Sequence, residues 1–197
     1  MSEQKFLNKT NLLYLLIIIL CISNISLIFR IRLQHKIIGD LKYKYLSQQS
    51  RDKLRLKKFP DFQMKEIKEG KIFSLNTILS QKSHTLFVFF SPSDCGACLF
   101  ERILWQDIYN KGIVNVVGIS SHNIRESKKW VNQTKLSIPI LYDENGKLRK
   151  LLGIKRTPIK ILIDQQRNIL IADDSVRLYK NTRKDFLNLL YRKIGRK

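Results

Sequence analysis

Residues 85–101 read TLFVFFSPSDCGACLFE, and this stretch decides the fold. Its first part, Thr85–Phe90, is a solid hydrophobic run, which is typical of a central strand buried on both faces of a sheet. Cys95 and Cys98 follow closely, and Gly96–Asn110 has the spacing of a helix. The sequence therefore predicts a cysteine pair where a buried strand gives way to the N-terminus of a helix.

A thiol at a helix N-terminus has unusual chemistry. Unpaired backbone N–H groups and the helix dipole stabilise an anion there, so the pKa of the thiol falls. The first cysteine would lie at the exposed end of the helix, and the second one turn inside it. We therefore assign Cys95 as a nucleophile that attacks disulfides and Cys98 as the thiol that resolves the mixed disulfide, which makes them a redox-active pair.

Other uses of a C-x-x-C pair fit less well. A zinc site needs further ligands, and the three histidines, His35, His84 and His122, are scattered singly. Covalent haem attachment needs a histidine after the second cysteine, where this chain has Leu99. A purely structural disulfide across so short a loop would stabilise little. We expect no metal ion and no cofactor.

Two further features are compatible with thiol exchange. Thr157 and Pro158 begin a strand in which a trans proline would be awkward, so a cis peptide is expected, with a strand-initiating trans proline as the alternative. The cis form would present the backbone of Thr157 to an extended substrate. Glu101 lies three residues after Cys98 on the same helix face and is a candidate to hold or relay a proton. A solvated helix glutamate is the alternative.

The composition of the chain limits the binding partners that it can have. With 197 residues, 44% of them hydrophobic, the chain has room for one domain and an appendage. The net charge is +21, and basic residues are densest in residues 30–59 and 178–197. We find no nucleic-acid-binding motif, so we expect a solvated basic surface that also favours anionic lipid, and no nucleic-acid partner.

An apolar segment near the N-terminus predicts a membrane anchor. Leu12–Phe29 has eighteen residues without a charge and would span roughly 27 Å as a helix. No small-x-small cleavage site follows it, and Leu20 precedes Cys21 where a lipoprotein signal needs a small residue. We expect a short tail over residues 1–11 and an uncleaved single-pass anchor over residues 12–29.

Two opposing arguments bear on which side of the membrane the domain lies. Five basic residues soon after the anchor would place the domain in the cytosol by the positive-inside rule. A redox pair suits an oxidising compartment better, and charge bias acts most on short loops. We therefore predict a cell (inner) membrane protein with its domain on the extracytoplasmic, or periplasmic, side.

Residues 30–59 have the pattern of a basic helical stem that ends at Pro60. Its apolar positions recur every four residues: Leu33, Ile37, Leu41 and Tyr45. They would lie against the membrane or the domain, or form a short coiled coil. We accordingly expect a monomer or a weak stem-mediated dimer.

Residues 60–197 are predicted to form one α/β domain with a mixed sheet flanked by helices. The predicted strands are Lys71–Leu75, Thr85–Phe90, Val114–Ser120, Pro139–Asp143, Thr157–Asp164 and Ile169–Asp173. The predicted helices are Gly96–Asn110, Ile124–Thr134, Lys147–Leu152 and Asn181–Ile194. The expected apolar faces are Leu99, Ile103 and Leu104 on the first helix and Phe186, Leu189, Leu190 and Ile194 on the last.

Five segments together carry a family resemblance. They are Pro60-Asp61-Phe62, residues 89–101 (FFSPSDCGACLFE), Val117–Ser120, Pro139–Asp143 and Thr157–Asp164. In this order they resemble the membrane-anchored thiol-disulfide oxidoreductases of the thioredoxin superfamily, the TlpA/ResA-like group within the AhpC/TSA-Redoxin superfamily. The resemblance implies a thioredoxin-like fold, cis geometry at Pro158 and an active-site role for Glu101.

The chain also departs from that group. Ser91–Asp94 replaces the usual tryptophan-containing approach to the first cysteine, and Asp94 would oppose thiolate formation at Cys95 if its charge faces the sulfur. Gly96 and Ala97 stand where better-known relatives have proline or histidine. The direction of electron flow is therefore open.

The main hypothesis is that the protein is an enzyme that reduces protein disulfides, as the TlpA/ResA-like group, which it resembles, does in cytochrome maturation. Its electrons would come from a membrane donor that this chain does not encode. One alternative is a peroxiredoxin-like thiol peroxidase, which the closeness of Cys98 to Cys95 disfavours. The other is a non-catalytic thioredoxin-like binding module of a membrane complex, which would give no reason for the cysteine pair.

Overall fold

The computed structural model describes residues 11–34, 54, 56–92 and 95–195. The chain divides into two compact units, Met1–Tyr45 and Leu46–Lys197. In the first unit, helix α1 spans Asn11–Gln34. It is long and apolar enough to cross a membrane, with a mean hydropathy of 2.7 over its most apolar eighteen residues, a property that signal sequences share.

Helix α1 includes the predicted anchor and continues for five residues into the predicted stem. Residues 35–53 and 55 of that stem and residues 1–10 of the predicted tail lie outside the described residues.

The described part of the second unit contains a seven-stranded mixed sheet with the strand order β2-β1-β5-β4-β3-β6-β7. Its strands are β1 (Gln63–Glu66), β2 (Ile72–Ser74), β3 (His84–Phe90), β4 (Asn115–Ser120), β5 (Ile140–Tyr142), β6 (Ile159–Asp164) and β7 (Ile169–Asp173). The helices of this unit are α2 (Leu75–Leu79), α3 (Gly96–Asn110), α4 (Ile124–Thr134), α5 (Lys147–Leu152) and α6 (Lys180–Lys193).

Strand β3 lies in the interior of the sheet, between β4 and β6, as its sequence predicts. It runs parallel to β4 and antiparallel to β6, and β4 is parallel to β5. All its residues from Thr85 to Phe90 are at most 1% exposed. A strand covered on both faces needs apolar side chains at successive positions, which explains the unbroken run.

The sequence did not predict strand β1 or helix α2. Strand β1 has the sequence QMKE, along which exposed and buried positions alternate. Met64 is the single apolar residue of this strand. Helix α2 has five residues, and its first turn is capped by Ser74, whose hydroxyl accepts a hydrogen bond from the backbone N–H of Thr77. Neither segment is long enough to display a period.

The buried face of α3 differs from the predicted one. Leu104 is buried as expected, but Leu99 and Ile103 are each 44% exposed and Phe100 is 61% exposed. The buried residues of this helix are Cys98, Glu101, Leu104, Trp105 and Ile108. Of the predicted apolar face, Leu104 is on the buried side of the helix and Leu99 and Ile103 are not, because a glutamate occupies one of the buried positions.

The last helix, α6, buries three of its four predicted core residues, Phe186, Leu189 and Leu190, while Ile194 at its end is half-buried. The C-terminal end of the predicted stem is not helical. The backbone N–H of Phe59 donates a hydrogen bond to the carbonyl of Arg167. The ring of Phe59 stacks on that of Phe87, with 4.6 Å between the ring centroids. Phe59 is thus a core residue of the second unit.

Candidate active site

Cys95 and Cys98 form a disulfide at the start of α3, with an S–S distance of 2.03 Å. Cys95 is the N-cap residue, and its Sγ accepts a hydrogen bond of 3.1 Å from the backbone N–H of Cys98. Cys95 is 5% exposed and Cys98 is fully buried. The sulfur of Cys95 therefore lies where unpaired N–H groups of the helix stabilise negative charge.

Asp94, which the sequence analysis expected to act on Cys95, lies outside the described part of the chain, and so does Ser93.

The Thr157–Pro158 peptide bond is cis, which confirms the prediction from the sequence. In the antiparallel pairing of β3 with β6, Ile159 lies opposite Phe89. Pro158 thus precedes β6 at the edge of the sheet where β3 ends and the chain leads into Cys95. Thr157 is half-buried there and Pro158 is buried. The sheet brings together two segments that are about sixty residues apart in sequence.

Glu101 is fully buried, so the alternative of a solvated helix glutamate is wrong. Its Oε1 accepts hydrogen bonds from Nζ of Lys160 at 2.7 Å and from the backbone N–H of Arg177 at 3.0 Å. Its Oε2 is buried and has no hydrogen-bond partner among the described residues. Burial raises the pKa of Glu101 above its ordinary value, against the opposing effect of the Lys160 ammonium.

Sequence reasoning missed Lys160, which is also fully buried. Besides Glu101, its ammonium donates to the carbonyl of Ser175 at 2.8 Å, and it lies 3.7 Å from Oδ2 of Asp173. The ammonium also lies 5.5 Å from the ring centroid of Phe186. One signal was available: Lys160 is the lone charge in the apolar part of a strand predicted to be buried, two residues after the proline.

Asp173 and Arg177 complete this buried group of charges. Nη2 of Arg177 donates to Oδ2 of Asp173 at 3.0 Å. Burial by itself would raise the pKa of Asp173, but the charges of Lys160 and Arg177 outweigh it and lower that pKa. Glu101 and Asp173 share one ammonium, and their pKa values move in opposite directions.

An open cleft of about 380 Å³ lies beside the proline. Residues on both sides of Pro158 in the sequence line this cleft, among them Lys155, Arg156 and Ile159. The two cations are exposed.

Within the described ranges, no group of three or more His, Cys, Asp or Glu residues is placed to hold a metal ion. His122 pairs with Glu126 at 2.6 Å, His84 contacts the hydroxyl of Ser83, and His35 lies outside those ranges.

A parallel β3–β4 pair, an antiparallel β6–β7 hairpin, a cis proline and a cysteine pair opening a helix define a thioredoxin-like fold. Solved structures agree. A putative thiol:disulfide interchange protein DsbE from Chlorobium tepidum has a TM-score of 0.60 at 21% identity, over 70% of this chain and 96% of that one. The peroxidoxin BcpB from Mycobacterium tuberculosis has a TM-score of 0.58 at 19% identity, over 70% and 94%. The thioredoxin domain of a thiol-disulfide oxidoreductase from Bacteroides vulgatus has a TM-score of 0.53 at 16% identity, over 68% and 94%.

Residues 56–174 match the AhpC/TSA family, and the chain belongs to that family. Among curated proteins it is similar to chloroplastic peroxiredoxin Q from Populus jackii and from Sedum lineare, at 29% identity over 126 residues. The match covers 62% of this chain, and 57% and 66% of the length of those two relatives.

Proposed function

We propose that this protein is a thiol-disulfide oxidoreductase that reduces protein disulfides through Cys95 and Cys98. The observation that carries the proposal is the Cys95–Cys98 disulfide at the N-terminus of α3, in which only Cys95 retains any exposure. This asymmetry suits a pair in which one sulfur meets the substrate and the other acts within the protein.

The reaction balances as two thiol-disulfide exchanges. The thiolate of Cys95 attacks one sulfur of a substrate disulfide, forms a mixed disulfide and releases the other substrate sulfur as a thiolate. The thiolate of Cys98 then attacks the sulfur of Cys95 and releases the second substrate thiolate. The substrate gains two electrons and its thiolates take up two protons. The protein is left with the Cys95–Cys98 disulfide, which a membrane dithiol donor reduces again.

The other predicted site residues have supporting roles in this proposal. Thr157 and Pro158 precede β6 at the end of the sheet where β3 leads toward the cysteine pair, and we assign their backbone to binding an extended substrate segment. Glu101, one helical turn beyond Cys98, is assigned to proton transfer.

We further propose that α1 is a single-pass anchor, which its length and hydropathy support. In this arrangement residues 1–11 are a tail, residues 12–29 the transmembrane segment and residues 30–59 a stem whose last residue, Phe59, packs in the core of the domain. Residues 60–197 form the rest of the thioredoxin-like domain, on the extracytoplasmic side. The partners are protein disulfides, the membrane and a donor encoded elsewhere, and no nucleic acid.

Reduction of insulin by the full chain in detergent micelles, with dithiothreitol as electron source, tests the activity. We expect Cys95→Ser to abolish turnover and Cys98→Ser to trap a mixed disulfide between Cys95 and insulin. Cys21→Ser is the matched control, because this free cysteine lies on α1, and it should keep wild-type turnover. Turnover that survives Cys95→Ser contradicts the assignment. A folded wild type without turnover favours the binding-module alternative.

A thiol peroxidase is the second candidate, favoured by the similarity to peroxiredoxin Q. There Cys95 would attack a hydroperoxide and become a sulfenic acid, with which Cys98 condenses to a disulfide and water. Peroxide consumption by the same preparation, with a sulfenic acid at Cys95 accumulating in Cys98→Ser, would establish this activity. Peroxide consumption without insulin reduction would replace the main proposal.

A further inference from the structure

The open cleft beside Pro158 carries more positive than negative charge. Lys155 and Arg156 both line it and are exposed, and Asp174 is the acidic residue among the described residues of its lining. The other described lining residues are apolar or glycine: Leu54, Gly153, Ile154 and Ile159. With the three charged side chains ionised, two cations and one anion leave this lining with a net positive charge.

The two cations of the cleft have no structural partner in the described part of the chain. Neither the side chain of Lys155 nor that of Arg156 forms an ion pair or a hydrogen bond with another described residue. Two neighbouring cations repel each other, and an anionic ligand close to both relieves that repulsion. Their charges are therefore available to a binding partner.

The backbone that carries these cations is held by helix α5. Gly153 ends this helix with a φ of 71°, and Ile154, directly after it, is buried. The guanidinium of Arg149 donates hydrogen bonds to the carbonyls of Ile154 and Lys155, at 3.2 and 3.3 Å. The backbone at Lys155 is thus fixed before a partner binds, which lowers the ordering cost of binding.

The cations also lie next to the backbone that we assign to the substrate. Arg156 directly precedes Thr157, and Lys155 precedes Arg156. An extended peptide advances about 3.3 Å per residue, so a peptide bound along Thr157 reaches the two cations within a few residues. A carboxylate on that part of the peptide is attracted to them, whereas a lysine or arginine there is repelled.

We infer that Lys155 and Arg156 select substrate proteins in which acidic residues flank the disulfide cysteine in an extended segment. This rests on the proposed oxidoreductase activity, because it names the disulfides that the cysteine pair meets. The net charge of +21 attracts acidic proteins to the whole chain, and the cleft adds a preference at the reacting segment. An exposed ion pair changes an equilibrium constant by up to about fivefold, so two pairs should together give about tenfold.

Equilibrium binding of three fluorescent peptides measures this selection without turnover. The peptides share one sequence with serine in place of the cysteine, and carry Glu, Gln or Lys on both sides of it. Fluorescence anisotropy follows their binding to the oxidised full-length protein in micelles of an uncharged detergent. We expect wild type to bind the Glu peptide about tenfold more tightly than the Gln peptide, and the Lys peptide least. The difference should shrink as salt is added.

The double variant Lys155→Glu/Arg156→Glu reverses the charge of the cleft and should bind the Lys peptide most tightly. Lys128→Glu/Lys129→Glu is the matched control, because it changes two adjacent exposed cations on α4 that do not line the cleft. The control has the same net charge as the first variant and should still prefer the Glu peptide. Preferences that change equally in both variants, or in neither, overturn the inference.

Asp174→Asn serves if the charge-reversed variant does not fold. It removes the negative charge from the cleft lining, so the Glu peptide should bind more tightly, by up to about fivefold. An unchanged affinity of this variant overturns the inference.

Glutathione disulfide tests whether a small anion occupies the cleft instead of a protein segment. We expect it to displace the Glu peptide only at concentrations well above that of the peptide, because it spans fewer residues along the cleft. Displacement at equal concentration overturns the assignment to a protein segment.

A single-turnover reaction separates this inference from the proposed function. The three peptides, with their cysteine restored, are joined through a disulfide to 2-thiopyridine, and attack by Cys95 of the reduced protein on the peptide sulfur releases 2-thiopyridone. In the variant with reversed charge, the change should appear in the peptide concentration that gives half of the maximal rate, rather than in the maximal rate. Reduction of all three peptides with equal efficiency rejects this inference alone. Selective binding by a protein that reduces none of them rejects the activity and leaves the charge selection standing.

Discussion

At the scale of single residues, the decisive fact is that Glu101 and Lys160 bury their charges against each other, 2.7 Å apart. The sequence indicated a site role for Glu101 from its place after Cys98, but Lys160 lies 59 residues away along the chain. A strand pattern predicts that a position is buried. It does not reveal which partner neutralises a charge placed there.

The charge on Asp173 predicts acid sensitivity of the folded state. Its pKa is lowered by folding, so the stability it contributes is present at neutral pH and is lost as pH falls below about 4. Glu101 has a raised pKa and works in the opposite sense, since its contribution decreases as pH rises through that pKa. Asp173→Asn should therefore be less stable than wild type at neutral pH and lose less stability on acidification.

Urea unfolding followed by tryptophan fluorescence, between about pH 3 and pH 7, measures this difference. Asp107→Asn, on the exposed face of α3, is the matched control and should keep the wild-type pH dependence. An acid-induced loss in Asp173→Asn equal to that of wild type would contradict the role given to the buried aspartate.

At the scale of elements, the bounds of α3, α4, α5 and β7 are those predicted, because long apolar periods and turn residues are local signals. Orientation was less predictable. On α3 the core stripe includes Glu101, so counting apolar residues selected Leu99 and Ile103, which are exposed. The rotation of a helix is set by what it packs against, and here the sheet supplies a cation for the glutamate.

The orientation of α3 predicts different costs for two equal truncations. Leu104→Ala removes a fully buried side chain and should lower the free energy of unfolding by about 2–5 kcal/mol. Leu99→Ala, on the same helix but 44% exposed, should cost less than about 1 kcal/mol. Urea unfolding of both variants decides the matter. Equal losses would mean that α3 presents a different face to the sheet.

At the scale of the whole molecule, an apolar helix precedes an AhpC/TSA domain in one chain with a net charge of +21. Basic residues after the helix favour cytosolic placement, whereas a disulfide between Cys95 and Cys98 suits an oxidising compartment. We give the second argument more weight, because long domains cross a membrane largely regardless of charge.

Fusion of alkaline phosphatase after Lys197 tests the side of the membrane, since that enzyme is active only where its own disulfides form. We expect activity from this fusion and none when the same reporter precedes Met1, because a single-pass anchor places its ends on opposite sides. A fusion after Lys197 that is active only with a cytosolic reporter such as β-galactosidase would reverse the topology.

The sequence by itself determined the buried strand and the cysteine pair at the start of a helix, because each depends on neighbouring residues, and it favoured the cis proline that the structure contains. Only the tertiary structure decided that Pro158 shares a sheet edge with the end of β3, and that Glu101 is an ion-paired core residue. Strand pairing brings these distant segments together, and burial then makes their charges interdependent, since charges removed from water must neutralise one another.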